Sequence, residues 1–332
     1  MIMAVAVALL AISLNNCANS TPSETASAPQ PSVVSAAAPD STTAIGDPKI
    51  NINSAILSEL DKLEAKLGVP ALSHKIQASR PYGSTADLVS KNVVTQEQYD
   101  QIKDQITVED IVLTGEAKDI DYMTKLGLMK GHMLVAGQLL DLKLPDQAEP
   151  HLGHPVEEIY VDIADQLSER NVPEFSDTLV QVQDLVKSKP NDPKIKTGYD
   201  AAMAAIDQAI AALPAEERQS PAFVLQVINE MLDTAVSEYT AAISDGKITA
   251  AIEYQDSRGF VEYVKETLLP SVQSQLASNK SADANTLQPQ LDELFKAWPE
   301  PVPPKTPVMS SDDVAGKVKA IEQTSAKVIK AG

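Results

Sequence analysis

An all-α fold of antiparallel helical bundles, two of them packed together behind a disordered N-terminal tether, is the architecture that the sequence predicts. Apolar residues recur at three- and four-residue spacing over most of the 332 residues. No stretch shows the two-residue alternation, bounded by turn chemistry, that a sheet needs. A hydrophobic content of 43% is enough for a large core, while residues 18–48 carry almost no large apolar side chain.

The chain opens on a short apolar run, Met1 to Leu14, too short to span a bilayer and of the length of a signal-peptide core. Leu14-Asn15-Asn16-Cys17 follows it and resembles a bacterial lipobox. That resemblance implies export, removal of the leader before Cys17, and a lipid on Cys17 that holds the protein to a membrane in the cell envelope or periplasm. Cys17 is the only cysteine, which excludes an intramolecular disulfide, a thiolate metal cluster and a cysteine redox pair. Residues 1–17 are therefore read as a signal peptide with its lipidation site. Residues 18–48, rich in Ser, Thr, Ala and Pro, are read as a flexible tether.

Helical periodicity starts with Ile56, Leu60, Leu63 and Leu67 on one face. Between Ser73 and Ile120 only short helical pieces are expected, with a turn at Pro81. Tyr122 to Leu142 is apolar on most sides and reads as a central helix; Gly127, Gly131 and Gly137 within it imply close approach by a partner helix. Leu144-Pro145-Asp146 is expected to end it. Pro155 is expected to begin the next helix as a first-turn residue, with Val156, Ile159, Ile163 and Leu167 inward, and the short connection makes the two antiparallel neighbours. Further helices are expected over 173–188, 192–213, 220–245 and 250–278, with Asp245-Gly246 closing one of them. The helical bundle domain then spans 49–298, a proline-rich linker 299–310, and a last helix 311–332 with Val314, Val318 and Ile321 inward.

The formal charge of −19 repels phosphate backbones, and no basic stripe offsets it, so nucleic acid is excluded as a partner. The visible chemistry is histidine. Three of the four histidines are His132, His151 and His154, and Glu157 and Glu158 follow His154 by about one helical turn. Imidazole nitrogen and carboxylate oxygen can converge there, with His132 brought alongside by the hairpin and His151 as a further candidate. The competing reading is local: His154 caps a helix whose first turn carries two glutamates. Imidazole and carboxylate without thiolate suit iron, zinc, copper(II) or nickel. Met123, Met129 and Met133 around His132 also admit copper(I), although methionines at helical spacing are more often core.

Gly153-His154-Pro155-Val156-Glu157, in an exported helical chain, resembles the His-x-x-Glu motif of the imelysin-like family, which includes a periplasmic iron-uptake component. The resemblance implies paired antiparallel bundles, a metal-associated envelope protein, and His154 and Glu157 as metal-site residues. A second polar run, Glu253 to Gly259, interrupts a helical region. Tyr254, Asp256 and Arg258 within it either line a cleft or form a buried ion pair that holds helices together. There is no phosphate-cradling loop, serine elbow, Cys-His pair or His-Glu-x-x-His helix, so an enzyme is not expected. The expected function is a membrane-anchored envelope protein binding a transition-metal ion, iron or copper foremost and zinc next, for uptake or handling. The alternatives are a non-catalytic scaffold that docks an envelope protein partner, and a metallopeptidase as implied by the imelysin-like resemblance.

Overall fold

The computed structural model describes residues 49–109, 112–278 and 283–331. The leader, Cys17 and the tether lie outside the described residues. An N-terminal unit begins with β1 (Ile50–Asn51) and holds α1 (Leu57–Leu67), α2 (Leu72–Ala78), α3 (Asp87–Ser90) and α4 (Gln96–Ile102). It ends in β2 (Ile106–Thr107), which pairs in parallel with β1. Ile52, Leu60, Leu63, Ile76, Leu88 and Ile102 give it a small core of its own.

Among the described residues two helical rings follow, each closed by four mutually packed helical segments. The first consists of α5 (Glu116–Asp141), α6 (Pro145–His154), α7 (Val161–Glu169), α8 (Ser176–Ser188) and α9 (Lys194–Ala211), in which α5 packs on α6, α6 on α8, α8 on α9 and α9 back on α5. After the short α10 (Ala215–Arg218) the second ring runs through α11 (Pro221–Ala241), a hairpin of β3 (Ile243–Ser244) and β4 (Lys247–Ile248), and α12 (Ala251–Tyr263). It continues through α13 (Leu269–Ser271), α14 (Gln273–Ser278), α15 (Leu287–Phe295) and α16 (Ser311–Ala331). Here α11, α12, α15 and α16 close on one another, and the two rings meet where α5 lies along α12 and α11.

The helical class and the paired bundles agree with the sequence reading; the details differ in four places. Two short strand pairs exist. Asp245 and Gly246, both at positive φ, form the two-residue turn of the β3–β4 hairpin instead of capping a helix. The last helix does not stand apart, because α16 packs on α11 and α15. Pro155 does not begin a helix. The first-turn proline is Pro145, and helical backbone runs unbroken from there to Glu169, passing through a widened π turn at Pro155–Tyr160. Proline cannot donate to the carbonyl four residues back, and a wider turn absorbs that missing bond without ending the helix.

The rings touch through two glycines. A Cβ on Gly259 would lie 2.2 Å from the carbonyl oxygen of Gly131, so the backbones of α5 and α12 meet with no side chain between them. Gly131 precedes His132, and Gly259 lies one turn beyond Asp256.

Against α11, α1 docks with an acidic seam in which Asp61 and Glu238 are both buried. Burial, with Glu64, Glu253 and Glu158 adding to it, pushes the Asp61 carboxyl up to about 8. Burial, with Asp61, Asp256 and Glu253 adding, raises Glu238 well above its ordinary value. A carboxyl with a raised folded-state pKa binds its proton more tightly when folded. Its stabilising contribution is therefore complete below an unfolded value of about 4 and is lost as pH rises through about 8. Asp61→Asn, which stays neutral, is expected to flatten the fall in melting temperature across that window. A melting profile unchanged by the substitution would show that Asp61 is ionised in the folded protein.

Candidate metal centre

The contact between the rings sets the site. His132 projects from α5, and His151 and His154, three residues apart on one face of α6, project toward it. Asp256 reaches across from α12. One ligand atom from each of the four residues lies within 4.8 Å of all the others. Tetrahedral donors each 2.0–2.2 Å from one ion stand roughly 3.4 Å apart, so the four are near the spacing of a single coordination sphere.

Asp256 organises the group. His132 Nδ1 lies 2.6 Å from its Oδ1 and His151 Nδ1 2.7 Å from the same oxygen, while His154 Nδ1 lies 3.3 Å from Oδ2. His132, His151 and Asp256 are buried; the His154 side chain is 22% exposed and is the solvent-facing member. The rings stack edge to face, His132 against His154 at 5.0 Å between centroids and against Phe260 at 4.9 Å.

Electrostatics follow from three bases on one acid. Burial alone would raise Asp256, but the imidazoles, His132 foremost, outweigh it and hold the carboxyl well below the usual range. Burial lowers His132 more than the Asp256 carboxylate can raise it. For His154 burial is again the largest influence and acts downward, yet Asp256, Glu158 and Glu157 together overcome it and push the ring up to about 9.

The donor set fits a transition-metal cation. His132 Nε2 is buried and has no hydrogen-bond partner among the described residues, which leaves a lone pair unused when Nδ1 donates to Asp256. Three imidazoles with one carboxylate match iron(II), zinc, copper(II) or nickel and are poorly suited to magnesium or calcium. Met123, Met129 and Met133 are buried in the main hydrophobic core, and none belongs to the four-residue group.

The remaining expected residues separate. Glu157 is exposed and receives Gln183 Nε2 at 3.5 Å, outside the group of four. The π turn explains this: with wider turns the residue four along, not three along, lies over His154. Glu158 accordingly stays near it, accepts the main-chain N–H of Leu57, and is pushed up to about 7 by burial, which outweighs the lowering by His154. A cavity of about 360 Å³ between the N-terminal unit and the first ring is lined by Glu157, Glu158 and Asp162 with Asn53, Gln77 and Arg80. His154 does not cap a helix, since Pro155 continues it.

In the polar run of α12, Asp256 joins the histidines and not Arg258. Arg258 binds Glu262 and the carbonyl of Trp298, and Tyr254 donates to the carbonyl of Glu300. The proline-rich segment is thus a strap held along α12. Gln255, which the sequence reading left without a role, accepts from His151 Nε2 at 2.9 Å. Its only signal in the sequence was its place beside Asp256.

Among the described residues no helix is long and apolar enough to cross a membrane. No curated protein and no solved structure matches the chain. Residues 214–332, which form the second ring and supply Asp256 but none of the three histidines, are similar to the iron permease-associated 4-helix bundle domain, and this similarity links the chain to iron uptake.

Proposed function

We propose that this chain binds iron as cargo at His132, His151, His154 and Asp256 and serves iron uptake at the cell envelope. The observation that carries the reading is the convergence of three imidazoles on one buried carboxylate, at the contact between two bundles, with an unused nitrogen lone pair at His132. Similarity of the second ring to an iron permease-associated domain supports iron over zinc or copper. The lipobox-like Leu14–Cys17 segment supports attachment to a membrane through Cys17, with residues 18–48 as the tether. Glu158, not Glu157, lies beside His154, so the His-x-x-Glu resemblance to imelysin-like proteins adds no support to the site.

Three of the four ligands come from the first ring and one from the second, so an ion bound there ties the rings together. His154, the exposed ligand, is the side from which an ion arrives and leaves. Calorimetric titration of the full chain with iron(II), under anaerobic conditions, and with zinc(II) and copper(II) tests this. One ion per chain is expected, with affinity falling more than about 100-fold in His154→Ala, beyond the loss usual for a residue that only supports a ligand. No saturable heat from any of the three ions, or an isotherm unchanged in His154→Ala, would refute it.

A further inference from the structure

Gln255 has an amide whose orientation is settled by its neighbours. Its Nε2 lies 3.2 Å from the main-chain oxygen of Pro301 and 2.9 Å from Oε1 of Gln147. A main-chain carbonyl can only accept, so the amino group points to the strap and Oε1 is left facing His151. That oxygen also can only accept. His151 must therefore donate from Nε2, 2.9 Å away, and the nitrogen turned toward the centre is Nδ1, 2.7 Å from Asp256 Oδ1.

The clamp is itself held from both sides. One residue before Pro301, the carbonyl of Glu300 accepts the Tyr254 hydroxyl at 3.1 Å, and the carbonyl of Trp298 accepts Arg258 Nη1 at 2.8 Å. Trp298 Nε1 donates to Ser257 Oγ at 2.7 Å. Tyr254, Gln255, Ser257 and Arg258 are all buried, so these bonds form without competition from water. The strap's register along α12 consequently determines which atom Pro301 offers to Gln255.

We propose that Gln255, clamped between Gln147 and Pro301, is a positioning residue that keeps the His151 proton on Nε2 and so presents Nδ1 as the donor to a transition-metal cation at the His132–His151–His154–Asp256 centre. This rests on the metal-binding reading above for its second half, while the placement of the proton stands on hydrogen bonding alone. Ligand imidazoles are characteristically fixed by a hydrogen bond at the other ring nitrogen, and loss of such a partner costs about 10–100-fold in metal affinity.

The test uses the full chain labelled with 15N-histidine, first without metal and then titrated with zinc(II), in wild type, Gln255→Leu and Gln255→Glu. In wild type the His151 ring shifts should report a protonated Nε2. Gln255→Leu, which removes the acceptor, should release that preference and weaken zinc binding about 10–100-fold. Gln255→Glu, which keeps an acceptor, should restore the Nε2 proton and most of the affinity. Gln147→Leu relaxes the clamp from a half-buried position and should shift His151 in the same direction should Gln255→Leu fail to fold. His151 shifts unchanged in Gln255→Leu, or in Gln147→Leu where that variant stands in, would overturn the proposal, as would equal loss of affinity in the Leu and Glu variants. Absence of zinc binding to wild type would defeat the metal-binding reading alone, because the metal-free spectra still decide where the proton sits.

Discussion

Asp256→Asn is expected to destabilise the protein by about 3–5 kcal/mol, the cost of removing one member of a buried charge-paired group, and to weaken iron(II) binding more than about 100-fold. Both effects have one origin. Oδ1 is within hydrogen-bond distance of His132 Nδ1 and His151 Nδ1, and Oδ2 faces His154. An asparagine supplies one oxygen and turns an amino group toward at least one imidazole, so a donor meets a donor in a buried site. Chemical denaturation measures the first effect and calorimetric titration the second. If stability falls while iron affinity holds, the four residues are a structural ion cluster and the ion binds elsewhere. If stability changes by less than about 1 kcal/mol, Asp256 does not carry the charge that balances the histidines.

Gly259→Ala is expected to cost about 3 kcal/mol, at the upper end of the range for overpacking. The added carbon would lie 2.2 Å from the oxygen and 2.8 Å from the carbonyl carbon of Gly131. These are backbone atoms of a long buried helix and cannot rotate aside as a side chain would. The two rings must part, and His132 moves away from Asp256 as they do. Gly316→Ala in α16 is the control: nothing among the described residues lies within 4 Å of the new carbon, and replacing a helical glycine there should be neutral or stabilising by about 0.5–1 kcal/mol. Denaturation midpoints of the two variants decide it. Equal, small effects would mean that the rings do not meet at Gly131 and Gly259.

The helices that rest on periodicity alone were legible from the sequence. Residues 192–213 and 311–332 read as helices and are helical over Lys194–Ala211 and Ser311–Ala331, since an apolar stripe at 3.6-residue spacing has no other economical fold. Proline was harder. Pro145, Pro150 and Pro155 lie in one helical run, and spacing does not reveal which of them starts a helix and which is absorbed by a π turn. That single ambiguity displaced Glu157 into the expected ligand set. It also hid the alignment of His151 with His154, which exists only because residues 145–154 are helical.

His132 facing His154 followed from a short connection between antiparallel helices, which is local geometry. Asp256 belongs to a different ring, and its reach depends on the depth of a contact between helices far apart in sequence. Gly131 beside His132 and Gly259 one turn past Asp256 were the visible traces of that contact, but only Gly131 read as a point of close approach. Gln255 depended on the strap, whose carbonyls bond to α12 in a register that sequence spacing does not contain.

The most direct measurement is anomalous diffraction at the iron edge from crystals of the full chain loaded anaerobically with iron(II). A single peak within about 2.0–2.4 Å of one nitrogen each from His132, His151 and His154 and of an Asp256 oxygen is the expected result. A peak at another place, or none above noise in crystals whose solution counterpart binds iron, would contradict the assignment of these four residues as the site.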